Sequence, residues 1–291
     1  MVDPLLTCVL ADIEFQFSNL TASEFNDFFV PFFRSDSTLT DRCFVDVAGA
    51  SPELNALHSR LAWNFLQDGA RACLTGANPA GDVMWRMTGD APFDRLRFEW
   101  HPTAFDAMYR NEAYGSYGII VILALVMRLL HAEGLVLHGA AQVVDGQAIL
   151  CTGPSGRGKS TISKLFDGAG VPVLTDERPI VRRRTVTGKT HFQIYGSPWP
   201  SSGGFALNAS APLKKIYFLE HGPENALLPL TTRAAVLRLL DVALVPWMDT
   251  SFFDPLIQII ESLIRDVPHA VLRFRPDASV VDFIRRDLAV F

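Results

Sequence analysis

The residues best suited to chemistry are the eight from Gly153 to Ser160, GPSGRGKS, which fit the spacing G-x-x-x-x-G-K-[ST] without a mismatch. Each residue type has its own physical reason. Glycines let the backbone turn tightly and aim several N–H groups at phosphate oxygens. The loop opens onto a predicted helix, whose N-terminal partial charge favours an anion. Lys159 is placed to reach the outer phosphates, and the Ser160 hydroxyl is a magnesium ligand in waiting. The spacing therefore predicts a nucleoside triphosphate held with magnesium by Gly153, Pro154, Ser155, Gly156, Arg157, Gly158, Lys159, Ser160 and Thr161.

Such a loop needs a carboxylate near the metal, at the end of a neighbouring apolar strand. VPVLTDE supplies Asp176 and Glu177 one helix and one strand further on. Asp176 is expected to face the metal or to take the proton of an attacking hydroxyl, with Glu177 doing the other job or assisting. No Asn-Lys-x-Asp for guanine and no LSGGQ-like segment occur, so a GTPase switch and a transporter ATPase are disfavoured. A small kinase is what remains.

The elements around the loop alternate. A long apolar helix, Ile119 to Leu130, leads into LVLHGAAQVV, an Asp145-Gly146 turn and QAILCT, a strong hairpin pattern that feeds the glycine loop. TISKLFDGAG reads as a helix ending in glycine, and VPVLTD as a buried strand with Arg182, Arg183 and Arg184 in a solvated turn beyond it. IYFL is a strand, Thr232 to Val245 and Asp254 to Arg265 are helices, and AVLRF and SVVDFIRRDL close the chain as strand and helix. Strands alternating with helices predict a layered α/β core. Lys214 and Lys215 read as solubility charges, and Cys151 as core packing.

Upstream, ADIEFQF (Ala11 to Phe17) alternates like a half-buried strand. Thr21 and Glu24 make a capping-box pattern before an aromatic segment that Pro31 should bend. A helix is expected from Ser51-Pro52 through Leu54, Leu57, Leu61 and Phe65 to Gly69. DVMWRM and RLRFEW read as strands of an antiparallel meander about a turn at Gly89 to Pro92. Residues 1–112 form a small α+β domain, a recognition domain by elimination, and 113–291 the catalytic one.

Composition sets outer bounds. The 291 residues are 49% hydrophobic and 20% charged, with a formal charge of −5, which suits a globular protein and offers no basic field for nucleic acid. The apolar run at Ile119 is too short to cross a bilayer of about 30 Å. Four scattered cysteines and no export signal point to the cytoplasm. A homo-oligomer stays open.

Taken together, these features resemble the catalytic domain of HPr kinase/phosphorylase, and more closely the HPr-kinase-like serine kinases found beside peptide-modifying enzymes. His138-Gly139 before the hairpin, GPSGRGKST after it, LTDER (Leu174 to Arg178), YGSPWPSSGG (Tyr195 to Gly204) and the ending VPHAVLRFRPDASVVDFI carry the likeness, which spans roughly Tyr114 to Phe291. It implies a fold akin to the nucleotide-binding core of phosphoenolpyruvate carboxykinase, with ATP and Mg2+ transferring a phosphoryl group to a serine of a peptide or protein, or to a small hydroxyl metabolite. It implies Lys159 and Ser160 on phosphate and metal, Asp176 as base or metal carboxylate, and His138 beside the loop. Arg178, Gly196, Ser197 and Trp199 are candidates for the acceptor side; a proline-stiffened turn burying Trp199 has similar weight. Glu177 departs from the family's second Asp, and Ser-Ser-Gly-Gly stands where relatives more often carry a charge. An ATP-sensing module without turnover and an ATPase of a peptide-modification system are the rival functions.

Overall fold

The structure, a computed structural model, describes residues 5–34, 38–59, 63–101, 118–129, 131–244 and 253–290. It is a mixed α/β protein with two sheets, divided into two compact units: Met1–Ala132 with Val245–Pro255, and Glu133–Leu244 with Leu256–Phe291.

The first unit is built on a seven-stranded mixed sheet in the order β1-β2-β3-β7-β6-β5-β4. Its strands are β1 (Leu6–Leu10), β2 (Ile13–Phe17), β3 (Arg42–Ala50), β4 (Trp63–Asp68), β5 (Arg71–Ala77), β6 (Val83–Asp90) and β7 (Arg95–Trp100). ADIEFQF is not one strand. Ala11 and Asp12 both take positive φ, 52° and 58°, and form the two-residue turn that lets β1 and β2 pair antiparallel. The helix expected from Ser51 is also replaced: only Pro52–Ala56 makes a short 3-10 turn, and β4 follows. Gly69 ends no helix; at φ 60° it turns β4 back onto β5, with Asp68 opposite Arg71. Leu61 lies outside the described residues. The meander of β6 and β7 is antiparallel as its alternation predicts, but β7 also pairs parallel with β3, a long-range partner no local pattern announces.

Helix α1 (Gly118–Leu129) is buried on nearly every face, which is why its sequence lacks a polar stripe. It packs with β3, and Arg128 pairs with Asp41 at 2.7 Å. The helix thus belongs to the first compact unit, which runs to Ala132. No described helix is long and apolar enough to cross a membrane.

The second unit carries β8 (Gly134–Leu137), β9 (Gly139–Val144), β10 (Gln147–Thr152), β11 (Val173–Thr175), β12 (Ile180–Val186), β13 (Lys189–Tyr195), β14 (Ser210–His221), β15 (Ala226–Leu228), β16 (Ala243–Leu244) and β17 (His269–Phe274). Its helices are α2 (Lys159–Gly168), α3 (Thr232–Leu240), α4 (Phe253–Asp266) and α5 (Ser279–Leu288). The long strand β14 joins two regions: its start pairs antiparallel with β13, and its end lies parallel between β10 and β17. Ile162 and Phe166 of α2 and Val280, Val281 and Ile284 of α5 pack on Cys151, Tyr217, Leu219 and Leu272. Each large apolar side chain buried there contributes about 2 kcal/mol. Strand alternation then turns Thr152, Phe218 and Glu220 to the opposite face, where Arg238 of α3 lies over the Phe218 ring.

Two surface readings are corrected here. Arg182, Arg183 and Arg184 lie on β12, not in a turn; Arg182 is buried and Arg183 pairs with Glu133 at 3.0 Å. Lys215 is buried too, and its ammonium grips Asp287 of α5 at 2.7 Å, an oxygen that also accepts from the Tyr217 hydroxyl at 2.5 Å. Periodicity alone could not separate a buried lysine from an exposed one, because the partner Asp287 lies far away in sequence.

Candidate functional site

Strand β10 ends at Thr152 and the glycine loop follows at once. Gly153, Gly156 and Gly158 have φ of 153°, 80° and 91°, conformations that side chains with a Cβ rarely adopt. Gly158 has a second constraint: a Cβ there would stand 2.7 Å from the Phe274 ring. His221, at the end of β14, makes a 2.8 Å hydrogen-bond contact with the Gly156 carbonyl. The loop is thus backed by the ends of β14 and β17, and Pro154 to Arg157 are exposed.

Lys159 opens α2 and is buried. Its ammonium donates to the Gly153 carbonyl at 2.8 Å and the Pro154 carbonyl at 3.0 Å, so the charge sits inside the ring of the loop. Burial pushes the lysine pKa down, and the Glu177 carboxylate partly offsets that. Ser163 donates to the Lys159 carbonyl and accepts from Gln142 of β9, which fixes the helix start on the sheet. Ser160 is half-buried and Thr161 exposed at the helix opening.

His138 and Glu177 meet where two strands change partners side by side. The chain passes from β8 to β9 at His138, and from β11 to β12 through Glu177. β8 pairs with β12, and β9 with β11. The joint is stitched by Leu137 N–H to the Pro179 carbonyl and Gly139 N–H to the Glu177 carbonyl, each at 3.0 Å. His138 donates its backbone N–H to Val242 at 2.7 Å, and its carbonyl accepts from the Thr152 hydroxyl at 2.8 Å. Across this joint His138 Nδ1 stands 3.2 Å from Glu177 Oε1. Burial pushes the Glu177 carboxyl up, but the hydrogen bond and charge of His138, together with Arg178 and Lys159, outweigh it. The net effect holds Glu177 below its usual range.

The structure separates the two acids. Asp176 is fully buried, and its two oxygens accept from Ser201 N–H at 2.9 Å and Gly203 N–H at 2.8 Å. It therefore anchors the loop after Tyr195. Ser197 and Trp199 of that loop are buried, with the Ser197 hydroxyl 3.5 Å from that of Thr175. Gly196 passes so close to the Leu174 and Leu207 carbonyls that no Cβ fits. Of the two weights given to this loop, packing describes Trp199. Arg178 lies by Glu177 and adds charge to it, its backbone N–H directed at the Thr175 hydroxyl at 3.4 Å.

A cavity of about 200 Å³ opens on the first residues of the glycine loop, against α3. Thr152, Gly153, Pro154, Arg157, Glu220, Arg238 and Asp241 contribute to its wall. Glu220, Arg238 and Asp241 carry no motif that would single them out in sequence. Among the described residues no three His, Cys, Asp or Glu side chains cluster to hold a metal. A magnesium ion carried by phosphates needs no such cage, since it keeps several waters and takes one or two protein ligands.

No family model matches the chain, and no curated protein matches it. Among solved structures it is similar to the Hpr(Ser) kinase/phosphatase from Coxiella burnetii, with 12% identity over 53% of this chain and 96% of that one, at a TM-score of 0.30. No residue role is carried over from so distant a likeness.

Proposed function

We propose that this chain is a magnesium- and ATP-dependent phosphotransferase whose acceptor is a hydroxyl, either a serine of a peptide or protein or a small hydroxyl compound. The observation that carries the reading is the glycine loop itself: three glycines at positive φ, a buried lysine inside the ring, and a carboxylate–imidazole pair within electrostatic reach of that lysine. The residues fit the ligand. Pro154 to Arg157 leave their side of the loop open, and α2 begins where the phosphates would lie. Lys159 and the Ser160 hydroxyl would hold phosphate and metal, and magnesium would neutralise charge on the phosphates.

The chain's own residues then divide the work. Loop amides and Lys159 orient the phosphates and stabilise charge as it builds. Glu177, kept ionised, holds the His138 imidazole, and this pair is the acceptor for the hydroxyl proton. Asp176 acts at one remove by fixing the neighbouring loop. The test is calorimetry with magnesium and ATP on the wild type and on Lys159→Ala, followed by ADP release and a search for acceptors that gain about 80 Da, the mass of one phosphoryl group. Binding that ignores Lys159 would sink the reading. Lys159-dependent ATP loss that yields only free phosphate would leave an ATPase in its place.

A further inference from the structure

We infer that the cavity between the glycine loop and α3 is the acceptor pocket, and that it selects a hydroxyl borne next to a positively charged amine, a 1,2-amino alcohol. The inference rests on the phosphotransferase reading and deepens it.

Position comes first. In a loop of this type the lysine reaches the β- and γ-phosphates, and here Lys159 Nζ lies 2.8 Å and 3.0 Å from the carbonyls of Gly153 and Pro154. Those same two residues line the cavity. The cavity therefore adjoins the terminal-phosphate end of the cradle, and the nucleoside belongs at the other end, near Thr161. Its wall is also tied to the backbone of His138: wall residue Thr152 donates to the His138 carbonyl, and Val242, next to Asp241, accepts from His138 N–H.

Charge comes second. The loop end of the cavity is electropositive, with the loop amides, Lys159 and the exposed Arg157. The far end carries Glu220, Arg238 and the exposed Asp241. Asp241 caps the C-terminus of α3, where the helix carbonyls already carry partial negative charge. Arg238 of the same turn is turned to Glu220 at 3.0 Å, and Arg273 approaches that same carboxylate at 3.7 Å, so neither guanidinium is paired with Asp241. Among the described residues the Asp241 carboxylate has no hydrogen-bond or ion-pair partner. A carboxylate without a counter-ion, on the wall of a cavity whose other end would meet the phosphates, suits a cation between them.

Size comes third. About 200 Å³ holds on the order of half a dozen water-sized groups. That suits free serine, ethanolamine or the first residue of a peptide beginning with serine. In the transfer the acceptor oxygen forms a bond to the γ-phosphorus while the bond from that phosphorus to the β–γ bridging oxygen breaks. ADP leaves with that electron pair, and the hydroxyl proton goes to the His138–Glu177 pair.

The test offers wild-type protein magnesium-ATP with L-serine, ethanolamine, a peptide with free N-terminal serine, the same peptide N-acetylated, and glycerol. Products are read by mass and ADP release. Phosphorylation of the amine-bearing acceptors, with the acetylated peptide and glycerol at least tenfold poorer in kcat/KM, is expected. Free serine against the N-terminal peptide distinguishes a metabolite from a peptide source. Asp241→Asn should raise KM for the preferred amine at least tenfold and narrow the gap to glycerol. Equal or better use of glycerol or the acetylated peptide overturns the inference, as does labelling of none of the five while ATP binding still depends on Lys159. Loss of Lys159-dependent ATP binding would instead strike the phosphotransferase reading beneath it.

Discussion

Two loops of the second unit solve the same physical problem with opposite outcomes. From Gly153 to Gly158 the backbone curls about a buried lysine and leaves Pro154 to Arg157 open to solvent. From Ser197 to Gly203 the backbone also wraps an anion, but that anion is the chain's own Asp176, bonded to the N–H groups of Ser201 and Gly203. One loop leaves its outer residues open to solvent; the other bonds its amides internally. Adjacent acids can therefore have unrelated partners: Asp176 meets backbone amides, and Glu177 meets an imidazole.

Substitutions on either side can break this contrast. The largest effect is expected from Lys159→Ala, which should cut phosphoryl transfer by about 10²–10³-fold, the loss seen when one charge-stabilising donor is removed. Its unfolding midpoint in denaturant should move little beside that. Equal loss of fold and function would mean Lys159 is a structural clamp and the first loop is as inward-turned as the second. Next, Glu177→Gln should lower kcat by on the order of 100-fold with nucleotide affinity retained, as for removal of a general base. Steady-state kinetics beside calorimetry separate the two quantities.

Asp176→Ala should act on stability. It strands the N–H groups of Ser201 and Gly203, and a cost of about 2–4 kcal/mol follows from two charge-assisted hydrogen bonds lost in a buried setting. Urea unfolding reads it, and a cost below about 0.5 kcal/mol would erase the contrast between the loops. The smallest effect concerns pH. Because the folded Glu177 carboxyl titrates below its ordinary 4.5, its contribution to stability is present above the unfolded value and is lost as pH falls through the folded one. A contribution under about 1 kcal/mol, absent in Glu177→Gln, is expected from melting curves across that acid range.

How much of this was legible beforehand differs by element. The glycine loop, the hairpin at Asp145-Gly146 and the amphipathic α5 follow local rules, so spacing alone locates them. The turn at Ala11-Asp12 and the replacement of a helix by β4 were hidden, because apolar residues at helical spacing also suit a 3-10 turn followed by a strand. Lys215, Asp241 and Glu220 were hidden for another reason: their surroundings come from segments far away in sequence.

By itself the sequence determined the glycine loop and the presence of two acids one strand beyond it, since backbone freedom, helix polarity and hydrophobic period are properties of neighbouring residues. Only the tertiary structure decided which partners each acid meets. Asp176 and Glu177 are adjacent in the chain but leave it in different directions, one onto the amides of Ser201 and Gly203 and the other across a strand joint to His138. What a charge means is set by what the fold places opposite it.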